Sequence, residues 1–196
     1  MTRNILFAVL EKLIKVSRQS KTKLVLMGGI AVSVFASPRA TYDIDAIISL
    51  EDEKLKDFLD LLKKEGFKFN RRQPIRFIQN LPFITFYYPP YKTYVDLFVA
   101  RNEFQYEILK RARKVNLDKL KLSIISPEDL ILVKLHSGRE KDIEDVRQII
   151  LENKSKLDFD YLRKWSKLLD LKVFLKDEIR SLGIIIPQAR RNGKNV

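Results

Sequence analysis

The 196-residue chain contains no cysteine, a single histidine, one tryptophan and two methionines. Without cysteine there is no disulfide framework, no thiolate zinc site, no iron–sulfur cluster and no cysteine nucleophile. The lone His136 excludes a multi-histidine zinc site and leaves a Ser/His/Asp triad no spare imidazole. Long apolar runs are also missing. The stretch from Ile5 to Val16 is interrupted by Glu11, Lys12 and Lys15, so it reads as neither signal peptide nor membrane span. The chain is therefore expected to be cytoplasmic, with no membrane partner. No internal repeat or low-complexity block occurs. Acids are scarce relative to bases: 25 Asp+Glu against 38 Lys+Arg leave a net charge of +13. That balance favours an anionic partner, such as a nucleotide or a nucleic acid. Any chemistry must come from carboxylates, lysines, hydroxyls and backbone.

What is present is enough for a folded core. Apolar residues make up 45% of the chain and aromatic ones 10%, which excludes disorder over most of its length. Apolar spacing of three and four predicts a helix over 3–18, a strand over 23–27 ending at Gly28-Gly29, and a helix over 30–36. A strand over 43–49, a helix over 51–65, and strands over 67–72, 75–79, 83–88 and 93–99 follow. Residues 103–114 are expected to be helical and 121–125 to form the last strand. Ser126-Pro127-Glu128-Asp129 is a helix start, with a hydroxyl cap, proline in the first turn and acids at the positive end. From there a helical pattern runs to about residue 182 in three segments, broken near Gly138 and Lys154. The expected organisation is α+β. Residues 1–125 form a mixed sheet flanked by helices, 126–186 form a helical segment closing a cleft, and 187–196 form a disordered basic tail.

The stretch 24–49 carries the chemistry. A strand feeding Gly28-Gly29 and then a helix places bare N–H groups at a positive helix end, where phosphate oxygens bind well; the same pair is otherwise a plain turn. Asp43 and Asp45 stand two apart on a strand and project from one face. Parallel carboxylates repel one another unless a cation lies between them, and hard oxygens with open positions suit Mg²⁺ (or Mn²⁺). Alone, one of the two is as readily a turn or solvent residue. Asp96 interrupts the apolar run 94–99, where an isolated charge is costly. Together the three form a metal-binding phosphoryl-transfer set in which Asp43 and Asp45 bridge ions and Asp96 activates the attacking hydroxyl. Lys134 lies on a helix that is apolar nearly all round, sharing a stripe with Leu130 and Ile131. A buried lysine wants an anion, although a snorkelling lysine fits the same pattern. His136 points the other way and reads as structural. Asp142 and Asp145 share a face of the next helix, where they either orient Lys134 or Arg39 or are solvent-facing helix charges. Residues 63–76 and 110–121 each carry six basic side chains against one acid, which are solvated faces or phosphate contacts. Tyr88 and Tyr91 flank Pro89-Pro90, placed to stack on a base or to belong to the core.

Gly28-Gly29, a short helix, Arg39-x-Thr41-x-Asp43-Ile-Asp45 and the later strand Asp96 resemble the nucleotidyltransferase superfamily of the polymerase-β-like fold. The Arg-x-Thr-x-Asp-x-Asp form is similar to its AbiEii-type toxin branch, and the likeness extends through 126–145. The resemblance implies a metal-dependent enzyme that moves an NMP from an NTP to an acceptor hydroxyl. Gly28, Gly29, Arg39, Thr41, Lys134 and the supporting Asp142 would hold the triphosphate. It further implies a toxin–antitoxin or defence setting with a cognate antitoxin or toxin partner, and the basic charge favours an RNA acceptor such as tRNA. Two departures matter: Gly29 stands where many active members have serine, and the chain is shorter than the full-length toxins. They motivate a rival reading, a catalytically silent relative that binds RNA or a partner. A transferase that modifies a partner protein is a third.

Overall fold

The structure, a computed structural model, describes residues 2–38, 41, 43–69, 75–78, 81–117 and 119–185. The chain divides into two compact units, residues 1–33 with 39–126 and residues 34–38 with 127–196.

The first unit opens with α1 (Thr2–Gln19), whose apolar stripe buries Val9, Leu10, Leu13 and Val16. Next come β1 (Leu24–Leu26), α2 (Gly28–Phe35), β2 (Ile44–Ile48) and α3 (Leu55–Lys64), the last entered through a short 3-10 turn at 52–54. Strands β3 (Lys68–Phe69), β4 (Ile75–Ile78) and β5 (Leu81–Tyr88) follow. A 3-10 turn at Pro89–Tyr91 connects β5 to β6 (Thr93–Val99). Helix α4 (Glu103–Arg111) and the hairpin β7 (Arg113–Leu117) and β8 (Leu120–Ile124) complete the unit. The strands form one mixed sheet in the order β3-β5-β6-β2-β1-β8-β7, with β4 also paired to β5. Pairs β2–β6 and β1–β8 are parallel and the others antiparallel.

Alternation along the central strands gives the sheet two unlike faces. Ile44, Ala46 and Ile48 of β2, Val95, Leu97 and Val99 of β6, and Ile84 and Phe86 of β5 are buried on one of them. Lys12 of α1 lies over the ring of Tyr88 on that side, and Phe67 packs edge-on against Phe86 at 5.2 Å. The opposite face carries Asp45, Thr85, Tyr87, Tyr94, Asp96 and Phe98, all half-buried or exposed.

The second unit contains α5 (Pro127–Ser137), α6 (Glu140–Asn153), α7 (Phe159–Leu168) and α8 (Lys172–Ser181). Helix α5 packs on α6 and α7, and α8 packs on both α6 and α7. The amide of Asn153 donates to the carbonyl of Phe35 at 2.6 Å, which ties segment 34–38 to α6. Among the described residues no helix is long and apolar enough to cross a membrane.

Three elements differ from the sequence reading. Helix α2 begins at Gly28, not Ile30, because Gly28 takes a left-handed φ of +59° and turns the chain directly into the helix. The helix expected over 103–114 stops at Arg111, and Arg113–Leu117 is an edge strand. Its alternation is weak because Arg113, Lys114 and Asn116 face solvent and only Val115 and Leu117 are half-buried. The expected three helical segments are four, since Asp170 at φ +57° breaks the last one. Leu168, Leu169 and Leu171 continue the apolar period across that break and conceal it. The far part of the expected strand 67–72 and the tail 187–196 lie outside the described residues.

Candidate active site

The open face of the sheet carries two of the carboxylates expected to act together, Asp45 and Asp96. Asp45 and Asp96 are register partners on the parallel strands β2 and β6. Their backbones thus stand about 4.8 Å apart with side chains on one face. Asp43 directly precedes β2 and is exposed. Asp96 does not stand alone: the Thr85 hydroxyl, opposite it on β5, donates to its Oδ1 at 2.6 Å. That bond fixes the carboxylate's orientation and leaves the other oxygen for a ligand. Thr85 was not singled out from the sequence, because its partner is set by a cross-strand register that local composition does not encode.

The turn after β1 presses against these acids. Met27 N–H donates to the carbonyl of Asp45 at 2.9 Å, and Gly28 follows with its positive φ. A Cβ built on Gly28 would lie 1.8 Å from Asp45 Oδ2, so only glycine fits between the start of α2 and that carboxylate. A Cβ on Gly29 would lie 2.7 Å from Thr41 Oγ1 and 2.9 Å from Thr41 Cβ. The Thr41 hydroxyl therefore occupies the space that a residue-29 side chain would need. It donates to the carbonyl of Asp43 at 3.2 Å, which links the α2 end to the acids. The first N–H groups of α2 have no intrahelical acceptor, as at any helix start. Arg39 lies outside the described residues.

Asp45 and Asp96 offer hard oxygen donors on one half-open face. Two carboxylates completed by water and phosphate oxygens fit Mg²⁺ in type and number. Among the described residues no three His, Asp or Glu side chains converge on one point as a metal cage does. A separate cleft, lined by Leu50, Leu55, Pro82, Ile84, Val99 and Arg101, lies at the other end of β2 and β6 and contains none of these acids. Tyr88 packs on Phe67 at 5.4 Å on the covered face, and Tyr91 packs on Tyr88 at 5.7 Å. Tyr88, expected as a stacking candidate, thus points away from the carboxylates.

In the second unit Lys134 is 5% exposed. Its ammonium lies 2.6 Å from Asp142 Oδ1 and 2.7 Å from Asp145 Oδ2. Asp142 also accepts from the Ser137 hydroxyl at 2.7 Å and from Arg139 Nε at 2.6 Å. Burial pushes the Asp142 carboxyl up, but the hydrogen bonds from Lys134, Ser137 and Arg139 outweigh it and hold it at about 2. The alternative of a snorkelling lysine is excluded. This lysine is the counterion of two buried acids, and a phosphate would have to displace one of them. His136 is exposed.

The fold is shared with known transferases. The antibiotic-resistance factor ANT(2'')-Ia superposes with a TM-score of 0.57 at 13% identity, over 93% of this chain and 97% of that one. A Thermotoga maritima protein assigned to the nucleotidyltransferases gives 0.55 at 18% identity, over 78% and 96%. The lincosamide antibiotic adenylyltransferase LnuA, with lincomycin bound, gives 0.50 at 20% identity, over 71% and 93%. No curated protein sequence matches the chain. Residues 4–178, which span both units, match the family described as "Nucleotidyltransferase of unknown function (DUF6036)", and the chain belongs to that family.

Proposed function

We propose that the protein moves an NMP from an NTP to a hydroxyl of an RNA acceptor. The observation that supports this most is the register pairing of Asp45 with Asp96 beside the glycine turn that opens α2. The backbone N–H groups at Gly28 and Gly29 bind phosphate oxygens, while the Thr41 hydroxyl, which donates to the Asp43 carbonyl, occupies the space of a side chain at position 29. Asp96 accepts the proton of the acceptor hydroxyl through the oxygen that Thr85 leaves open. The acceptor oxygen then bonds to the α-phosphorus, the bond to the bridging oxygen of the β-phosphate breaks, and pyrophosphate leaves. Asp45 and Asp96, with Asp43, would hold Mg²⁺ or Mn²⁺, which would supply neutralisation of the phosphate charge. Thr41 fills the space at Gly29, so a serine there would require Thr41 to move.

Known acceptors of the fold include antibiotics: LnuA was solved with lincomycin, and ANT(2'')-Ia with adenylyl-2''-tobramycin. A polycationic aminoglycoside fits poorly with a chain of net charge +13, whereas RNA fits well. The toxin–antitoxin or defence setting implied by the AbiEii-type resemblance belongs to the same reading. Growth arrest on expression, relieved by the substitution below, is its readout. Lys134 enters phosphate binding only by exchanging Asp142 or Asp145 for a phosphate oxygen. The direct test incubates radiolabelled NTPs and Mg²⁺ with cellular RNA. Wild-type protein labels RNA, and Asp43→Ala and Asp96→Asn do not. Equal labelling by all three would overturn the proposal.

A further inference from the structure

Asp96 is bracketed along the open face by two aromatic pairs. Towards the end of β6, Phe98 stacks on the buried Phe83 with ring centroids 5.7 Å apart. Towards its start, Tyr94 lies on Tyr87 at 5.9 Å and 33°. The second pair is open to solvent: Tyr94 is 44% exposed. The register extends this row to β3, where Lys68 is the partner of Tyr87 and is exposed. Phe69, its neighbour, packs on Phe86 on the covered face. By alternation Lys68 therefore projects on the same side as the two tyrosines and Asp96.

We infer that the row Lys68–Tyr87–Tyr94 is the docking subsite for the end of a single-stranded polynucleotide, with its terminal base on Tyr94 and a backbone phosphate on Lys68. The inference rests on the transferase reading and adds the place and chemistry of acceptor binding. Three observations carry it. The rings are flat, partly exposed and tipped with hydroxyls, the surface on which bases stack without sequence preference. A cation stands beside them, as phosphate tracking requires. Finally, Tyr94 is two residues from Asp96, about 6.6 Å along the strand. That matches the reach from a nucleobase across its ribose to a terminal hydroxyl. The glycine turn lies on the opposite flank of the carboxylates, since β1 neighbours β2 and β5 neighbours β6. A triphosphate at Gly28 and Gly29 thus leaves the β6–β5 side to the acceptor.

The probe is an RNA 12-mer with fluorescein at its 5′ end and 2-aminopurine at its 3′ end. Anisotropy reads affinity, and quenching of 2-aminopurine reads stacking. Wild type is expected to bind and to quench. Tyr94→Leu should weaken binding about tenfold, within the range of one lost base–aromatic stack, and abolish quenching. Tyr94→Phe should keep both, which separates stacking from a folding defect. No binding by wild type, undiminished quenching by Tyr94→Leu, or equal loss in Tyr94→Phe would overturn the inference. So would Tyr94-dependent quenching of 2-aminopurine riboside triphosphate, because the platform would then hold the incoming nucleotide. The two readings fail separately. NTP labelling unaffected by Asp96→Asn strikes the transferase reading, while Tyr94-independent RNA binding beside intact labelling strikes only this one.

Discussion

One carboxylate of the second unit carries a definite acid response. Asp142 is 3% exposed and titrates at about 2, well below its ordinary 3.8. A depressed folded-state value means that the ionised form is bound more tightly in the native protein than in the unfolded chain. Its contribution, about 2 kcal/mol, is complete above the unfolded value near 4 and is lost as pH falls through about 2. Asp142→Asn should accordingly be less stable than wild type at pH 6, and the gap should close between about pH 4 and pH 2. Thermal melts at pH 6, 4 and 2.5 check this, and a gap constant across that window would contradict it. The burial of Lys134 was legible from the apolar ring of residues around it. Its engagement by both Asp142 and Asp145 was legible only as one option, because nothing in the spacing of α6 says which face meets α5.

At the level of elements, the parts with local signals were readable and the parts set by pairing were not. Strand β6 was bounded correctly at Thr93–Val99, since Pro89-Pro90 stops the chain before it and alternation defines it. Asp43, Asp45 and Asp96 stood out because charge interrupts apolar strands. Tyr87 and Tyr94 did not, because aromatic residues in a strand read as core until the register shows which face they share. Strand β7 was absorbed into the preceding helix. The start of that helix is built from side chains: Asn102 Oδ1 accepts from Gln105 N–H at 2.9 Å, and Gln105 Oε1 accepts from Asn102 N–H at 3.3 Å. Gln105 Oε1 also accepts from Arg101 N–H at 2.6 Å, so one buried amide serves two backbone donors. Asn102→Ala should cost about 1 kcal/mol, the usual worth of a cap. Urea denaturation monitored by circular dichroism is the measurement, and an unchanged midpoint would show the capping box to be idle.

For the whole molecule, the +13 charge makes ionic strength the main external lever on the proposed RNA binding. If the acceptor contacts about three phosphates, log affinity should fall against log salt with a slope of about −2, because single strands release about 0.7 counterion per contact. Titrating the 12-mer at rising KCl measures it, and a flat response would place binding on stacking alone. The course of the chain between its two units carries a different consequence. It passes from one to the other after Ser33, returns before Arg39 and leaves again after Ser126. No single cut can therefore separate the units. A polypeptide stopped at Ser126 would keep residues 34–38 while losing Asn153, whose amide satisfies the carbonyl of Phe35. Shortening or grafting this protein is thus a problem of interleaved segments, and a shorter version has to redesign the end of α2 as well as choose where to stop.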